Sequence, residues 1–177
     1  MPSDALDELD IRLLRALTEE PRATAVALAE RVGLSRNTVQ ARLAKLEAVL
    51  ASFENRIDPA VLGYPLTAFI TVQATQRLLD QLASALRTIP EVVEVVGVAG
   101  ETDLHVRVVA TDTDDLYRIA GQILDAPGVE RTSTALAMRR LVDFRLTPLL
   151  EKVLSERVRP ARRPTAPAGP ARSAPAR

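Results

Sequence analysis

Between Arg31 and Lys45 the chain carries many hydrogen-bond donors and no acidic residue. The amide side chains of Asn37 and Gln40 can pair bidentately with adenine in the major groove of DNA, and Arg36 can bind guanine or a phosphate. The alternative is a polar, solvated helix face that happens to lack acids. We expect a DNA-contacting surface, and its residues would be Ser35, Arg36, Asn37, Thr38, Gln40, Arg42 and Lys45.

A second group of residues has the chemistry to bind a small molecule. The loop Gly100-Glu101-Thr102-Asp103 offers backbone amides for a carboxylate and two acidic side chains for an ammonium group. An α-amino acid carries this pair of charges. The hydroxyl groups of Thr132, Ser133 and Thr134 are expected to face this loop from a neighbouring subunit. The alternative is an ordinary β-turn with a glycine and an acid.

The inventory of side chains argues against an enzyme. The chain has no cysteine and one histidine, His105, so it lacks the material for a thiolate metal site or a histidine-based catalytic triad. We therefore expect no catalytic residue, no metal site and no cofactor. His105 alternates with Leu104 and Val106, which places it on the polar side of a strand or at an interface.

Two short predicted helices joined by a tight turn position the DNA-contacting residues. Thr24 stands where the first helix needs an N-cap, Gly33 would end that helix, and Ser35 would cap the second. An amphipathic helix from Leu6 to Leu17 would complete a three-helix core. The expected buried positions of the pair are Val26, Ala29, Val32, Val39, Leu43 and Leu46, whereas Asp7, Asp10 and Arg12 of the preceding helix are expected to face solvent.

The second half of the chain contains an internal repeat of a strand, a helix and a Val-rich strand. Pro90 and Pro127 hold matching positions, each after a helix and before a strand. Two right-handed βαβ units interleave into an antiparallel sheet with both helices on one face, the ferredoxin-like arrangement, so the expected fold class is α+β. The strands look apolar on both faces, with Val92 and Val96 on the same side. We expect the open face to pack against a second copy in a two-fold homodimer.

Composition and charge are those of a globular chain with a polar end. The sequence has 177 residues, 47% hydrophobic content and a formal net charge of zero, so attraction to nucleic acid must come from local patches. No apolar run approaches the roughly 20 residues of a membrane span, and the acidic N-terminus is unlike a signal peptide. We expect a cytoplasmic protein with no membrane partner.

These features divide the chain into four segments. Residues 1–52 would form the helix-turn-helix domain, residues 53–65 a hinge or connecting strand, and residues 66–156 the ferredoxin-like domain. Residues 157–177, rich in Arg, Pro and Ala, would form a disordered basic tail, either solubilising or in contact with phosphates. The stretch from Leu50 to Ile57 alternates in places, which predicts a short wing or connecting strand. Arg139 to Glu156 is expected to continue as a strand and then a short helix.

The chain resembles the Lrp/AsnC, or feast/famine, transcription regulators in the runs LDELDIRLLRAL, LAERVGLSRNTVQARLAKLE and RIDPAVLGYPLTAFI. The similarity extends from about Leu6 to about Leu150 and includes a DP-x-x-LG hinge and a GETD loop. It implies an N-terminal winged helix-turn-helix joined to a C-terminal ferredoxin-like βαββαβ domain of the RAM type. The run LEAVLASF is shorter than the wing of the family and lacks its glycine.

The resemblance also implies a small-molecule effector, an amino acid or related metabolite, bound near the GETD loop at contacts between dimers. Many members carry an aromatic residue where this chain has Thr102, so the preferred ligand is expected to differ. Family dimers assemble further into tetramers or octamers. We expect a sequence-specific regulator that binds double-stranded DNA and responds to such an effector. Two alternatives stay open: an effector-independent architectural DNA-binding protein, and a ferredoxin-like metabolite-binding protein without a DNA role.

Overall fold

The computed structural model describes residues 6–158, which fall into two compact units. The first unit contains residues 6–50 and 144–158, and the second contains residues 51–143. Residues 144–158 therefore group with the N-terminal unit, although the sequence suggested one domain over 66–156. The expected basic tail lies outside the described residues, apart from its first two positions. Within 6–158 no helix is long and apolar enough to cross a membrane.

The N-terminal unit is built on three helices, α1 (Glu8–Glu19), α2 (Ala25–Val32) and α3 (Arg36–Leu46). The predicted helix-turn-helix is formed by α2 and α3. The Thr24 hydroxyl accepts the amide of Ala27 at 3.2 Å, and Gly33 ends α2 with a φ of 70°. That left-handed conformation favours glycine, because a Cβ there costs steric strain. The core of the unit is formed by Leu13, Ala16, Leu28, Ala29, Val39 and Leu46.

A fourth helix of this unit, α6 (Thr147–Val158), lies against α1. The guanidinium group of Arg157 donates a hydrogen bond to the carbonyl oxygen of Leu6. The strand expected after Arg139 is absent: residues 139–146 have no regular structure, and the preceding strand ends at Leu136. The helix expected to follow is present.

Two expectations about burial in this unit were wrong. Val26 is 49% exposed, because a helix turns about 100° per residue and places Val26 about a third of a turn from the middle of the face that holds Leu28 and Ala29. Asp10 is fully buried, with an exposed fraction of 0%. Its helical spacing from Leu6, Leu13 and Leu17 places Asp10 on the buried face. The expectation of solvent followed from its charge, since a buried carboxylate is rare unless a partner neutralises it.

The connection between α3 and the sheet contains no strand, contrary to the expected wing or connecting strand. Short 3₁₀ turns occupy Glu47–Val49, Phe53–Arg56 and Pro59–Leu62. The side chain of Asp58 accepts the amide of Ala60 at 3.0 Å, which closes the third turn. Pro59 has no amide hydrogen to give to a ladder, and local turn bonds are satisfied at lower entropy cost than pairing with a distant strand.

The second unit is a four-stranded antiparallel sheet with two helices packed on one face. Its elements are β1 (Leu66–Ala74), α4 (Leu79–Leu86), β2 (Val92–Gly97), β3 (Leu104–Ala110), α5 (Thr113–Leu124) and β4 (Val129–Leu136). The strand order is β2-β3-β1-β4, which confirms the ferredoxin-like arrangement and the α+β class. The fully buried core combines Ile70, Val72, Val106 and Val108 of the strands with Leu82, Leu86, Ile119 and Ile123 of the helices.

The open face of the sheet is mixed rather than apolar. Phe69 is 48% exposed and Val96 is 47% exposed, and they line a concavity of 220 Å³ together with Glu94, Val98, His105 and Arg107. A shift of register between Val92 and Glu94 pairs Val92 with Val108 on the helix side and Val96 with His105 on the open side. The expectation that Val92 and Val96 share a face was therefore wrong, because a β-bulge inverts the alternation beyond it.

Candidate DNA interface and effector loop

Helix α3, the recognition helix, turns its donor-rich side to solvent. Val39 and Leu46 anchor the helix in the core. The side chains of Asn37 and Gln40 make no hydrogen bond within residues 6–158, and their spacing of three places them on one helix face. Both amides are therefore available to base edges in a major groove. The exposed polar residues of this face are Arg36, Asn37, Thr38, Gln40 and Lys45.

The first turn of the recognition helix is fixed by two of the predicted DNA-contacting residues. The Ser35 hydroxyl accepts the amide of Thr38 at 3.1 Å and lies 2.8 Å from the Thr38 hydroxyl. This N-cap satisfies one of the amides that a helix start leaves unpaired. Ser35 and Thr38 therefore have a structural function, and any contact that they make with DNA would be additional to it.

Arg42 differs from the other predicted DNA-contacting residues. Its Nη1 atom lies 2.6 Å from a carboxylate oxygen of Asp7 and 2.6 Å from a carboxylate oxygen of Asp10. The Arg42 side chain is only 24% exposed. These bonds raise the pKa of Arg42, and the hydrogen bond from Arg42 is the largest cause of the lowered pKa of Asp7. The structure places Arg42 in an internal ion cluster rather than on the free surface.

The candidate effector loop follows β2 and ends at the start of β3. Gly100 has a φ of 146°, a conformation that favours glycine. The amides of Gly100, Glu101 and Thr102 donate to no acceptor within the described part of the chain, and the carboxylate of Glu101 is exposed and without a partner there. The loop thus offers free donors for a carboxylate and one free acid for an ammonium group.

Asp103 is built into the sheet instead. One carboxylate oxygen accepts the amide of Ala74 at 2.8 Å, and the other accepts the side-chain amide of Gln76 at 2.5 Å. The Asp103 amide donates to the carbonyl of Val72 at 2.9 Å. Ala74 lies at a register shift of β1, so Asp103 supplies the acceptor that its amide needs at the irregularity. The expected role of Asp103 as an ammonium ligand is not favoured by this geometry.

The three hydroxyl residues of β4 do not share a face. Thr132 pairs with Val72 and Thr134 with Ile70, both on the helix side, whereas Ser133 pairs with Thr71 on the open side. Side chains of consecutive strand residues point in opposite directions. Within one chain, β1 also separates β4 from β3. These three residues therefore do not form one surface with the loop in the single chain.

Sequence reasoning missed the two glutamines that hold the loop. Gln73 donates from its side chain to the carbonyl of Glu101 at 2.8 Å, and Gln76 bonds Asp103 as described. The alternation of β1 was enough to predict that Gln73 points outward. Its bond to Glu101 could not be predicted in this way, because Glu101 lies 28 residues away in sequence.

Comparison with known proteins agrees with this arrangement. A model of the AsnC-type helix-turn-helix domain matches residues 6–47, and a model of the Lrp/AsnC ligand binding domain matches residues 67–147. The HTH-type transcriptional regulator FL11 of Pyrococcus horikoshii is 32% identical over 136 residues, which cover 76% of this chain and 90% of that relative.

Two solved structures of similar fold hold an amino acid. A feast or famine regulatory protein of M. tuberculosis, complexed with L-methionine, has a TM-score of 0.70 and 31% identity, and the match covers 80% of this chain and 97% of that one. A transcriptional regulator of Neisseria meningitidis, in complex with L-Met, has a TM-score of 0.71 and 27% identity, with coverages of 82% and 99%.

A helix-turn-helix unit followed by a four-stranded sheet with a ligand-binding family match defines a class, the ligand-modulated DNA-binding regulators. The chain belongs to the Lrp/AsnC family of transcriptional regulators. The relatives that it matches are named as transcriptional regulators.

Proposed function

We propose that this regulator selects particular DNA sequences through the exposed face of the recognition helix and that an amino acid bound at the loop 100–103 changes its DNA affinity. The observation that carries the proposal is the pair of free amides, Asn37 and Gln40, above a helix start capped by Ser35. Bidentate amide contacts to adenine supply roughly 1–3 kcal/mol of discrimination each. Arg36 and Lys45 would add contacts to phosphates or guanine.

The effector part of the proposal uses the loop as the structure displays it. The free amides of Gly100, Glu101 and Thr102 would bind the carboxylate of the ligand, and the Glu101 carboxylate would bind its ammonium group. Asp103 would hold the loop in place rather than touch the ligand. The relatives that hold L-methionine support an amino-acid ligand, and Thr102 would lie beside its side chain.

We also propose that two copies pack through the open faces of their sheets. Phe69 and Val96, each about half exposed, would be covered in this way. A two-fold dimer would place two recognition helices for half-sites about one helical turn of DNA apart. Ser133 lies on this face, whereas Thr132 and Thr134 do not, so contacts of the latter two with an effector would require a further subunit.

Binding-site selection followed by a thermal-shift screen of the twenty amino acids tests the proposal. We expect an enriched sequence, and at least one amino acid that raises the melting temperature and alters affinity for that sequence. Linkage requires the reverse effect as well: DNA must change the affinity for the amino acid by the same factor. Asp125→Asn, an exposed acid of the same unit, is the control for Glu101→Gln, and only the latter should lose the ligand response.

A second candidate function is an architectural DNA-binding protein without an effector. The occupation of both Asp103 oxygens by Ala74 and Gln76 favours it, because one of the two acids expected to hold an ammonium group is already used. Absence of a shift with every amino acid, together with binding of DNA of many sequences at similar affinity, would support this candidate over the first.

A further inference from the structure

The ion cluster of Arg42, Asp7 and Asp10 joins two helices of the N-terminal unit. Arg42 comes from the C-terminal half of the recognition helix, Asp7 is the N-cap of α1, and Asp10 lies in the first turn of α1. The two carboxylates are also tied to each other: the amide of Asp10 donates to Asp7 at 2.8 Å, and the amide of Asp7 donates to Asp10 at 3.0 Å. This capping box holds both acids in place by bonds that do not involve Arg42.

Charge and burial oppose a phosphate contact by Arg42. With both acids ionised the cluster carries one negative charge in excess, so an approaching phosphate meets net repulsion. The Asp10 side chain has an exposed fraction of 0%, and a buried carboxylate left without its cation is strongly unfavourable. Removal of Arg42 by a phosphate would leave Asp10 in that state. Arg36, which has no ion pair within residues 6–158, is not restrained in this way.

We propose that Arg42 is a positioning residue: its bond to Asp10, supported by Asp7, sets the orientation of the recognition helix on α1 and thereby the geometry with which Asn37 and Gln40 meet the bases. This inference rests on the proposed DNA-binding function. It assigns to two acidic residues of α1, which would repel DNA at close range, a favourable effect on sequence-specific affinity. Small errors of orientation are costly for bidentate contacts, because both hydrogen bonds must form together.

The test compares variants on two duplexes of equal length, the best sequence selected by the wild type and a randomised one. Asp10→Asn keeps the shape of the side chain, but its amide group either turns a donor toward Arg42 or no longer accepts the amide of Asp7. Arg42→Gln removes the cation, and the double variant measures coupling between them. Arg36→Gln is the matched control, an arginine of the same helix without an internal partner. All affinities are measured well below the melting temperature of each variant.

We expect Asp10→Asn and Arg42→Gln each to weaken binding to the selected duplex at least roughly tenfold, as much as the removal of one good base contact. The double variant should be no weaker than either single one. Binding to the randomised duplex should change little, and the salt dependence of wild type and Arg42→Gln should agree. Arg36→Gln should instead lower the slope of log affinity against log salt by about 0.9 for each phosphate that residue 36 no longer binds.

Two results of the DNA-binding measurements would overturn the inference. If Arg42→Gln lowers the salt slope while Asp10→Asn leaves or tightens binding, Arg42 is a phosphate ligand. If both variants only lower the melting temperature and bind the selected duplex as the wild type does, the cluster is structural without a role in recognition. Asp7→Asn is the variant that tests the cluster with the least risk of misfolding, because asparagine is as good an N-cap as aspartate and only the charge is removed. It should show the same changes at smaller size.

Amide hydrogen exchange separates this inference from the proposed function. Without DNA, Asp10→Asn should speed exchange in residues 36–46 more than in α2, since α2 lacks a partner in the cluster. Unchanged exchange in the recognition helix would contradict the positioning role even if the DNA results agreed. A wild type that selects no sequence would refute the proposed function and the recognition role together, and the exchange data would still report whether the cluster orients the helix.

Discussion

The recognition helix and the effector loop place their functional groups in different ways. Along α3 the side chains of Arg36, Asn37 and Gln40 project from one helix and take no part in the hydrogen bonds of the fold. The loop 100–103 is held from outside by Gln73 and Gln76, and the carboxylate of Asp103 is used by the sheet. The contrast teaches that residues of the helix face can be exchanged without harm to the fold, whereas function and stability are tied together at the loop.

The largest effect should come from a glycine beside the sheet. Gly128 has a φ of 82°, and a Cβ there would lie 2.7 Å from the Cβ of Leu78. Gly128→Ala should reduce the free energy of unfolding by roughly 2–4 kcal/mol, through backbone strain and overpacking. Urea unfolding measures it. In Gly121→Ala of α5 the added Cβ meets no atom within 4 Å, and this variant should be neutral or slightly stabilising. Equal effects of the two substitutions would show that Leu78 does not restrict the residue at position 128.

Substitutions on the helix face should change sequence preference and leave stability alone. Asn37→Ala and Gln40→Ala are each expected to cost roughly 1–3 kcal/mol of discrimination at one base position, whereas Lys45→Ala should weaken binding to all DNA alike. Binding-site selection with each variant and its melting temperature are the measurements. If both amide variants select the wild-type sequence, Asn37 and Gln40 do not contact the bases. The comparison between a functional helix face and the loop would then fail.

At the loop, substitutions of the two acids Asp103 and Glu101 should have different effects on stability. Asp103→Ala removes the acceptor of a backbone amide at 2.8 Å and should lower the free energy of unfolding by about 1–3 kcal/mol. Glu101→Ala should change stability by less than about 0.5 kcal/mol, since its side chain is exposed. Chemical unfolding and amino-acid titration of both variants give the answer. A stable Asp103→Ala protein that no longer binds its ligand would show that Asp103 is a ligand residue after all.

The smallest effect should be a dependence of stability on acid pH. The pKa of Asp7 is lowered by the Arg42 guanidinium and by the Asp10 amide, and the pKa of Asp115 is lowered by the Thr111 amide and Arg118. A lowered folded pKa gives stability that is present above the unfolded value of about 3.9 and is lost as the pH falls through the folded pKa.

Asp7→Asn should therefore make the free energy of unfolding of the first unit less dependent on pH in the acid range. The pH dependence of the second unit, which contains Asp115, should not change. The change should stay below about 1 kcal/mol, because the Asp7 side chain is 53% exposed. Hydrogen exchange of the two units between about pH 5 and pH 2.5 resolves them. An undiminished pH dependence in the first unit would show that the Arg42 pair contributes little to folding.

The sequence by itself was sufficient to predict the helix-turn-helix, its caps at Thr24 and Ser35, and the exposure of Asn37 and Gln40. It was also sufficient to predict the ferredoxin-like sheet from the internal repeat. Each of these follows from spacing within a few residues, because helix and strand periods fix which side chains share a face. The capping box of Asp7 and Asp10 also had a local signal, an acid followed three residues later by another.

Only the tertiary structure decided the partners of Arg42 and the bonds that tie Asp103 to Ala74. It also decided the split of Thr132 from Ser133 and the inversion of alternation at the bulge after Val92. These properties depend on which distant segments meet and in what register, and one shifted residue in a strand moves every later side chain to the other face. Local spacing carries no such information. Arg42 has the chemistry and the spacing of a DNA-contacting residue, but carboxylates more than 30 residues away in sequence bind it instead.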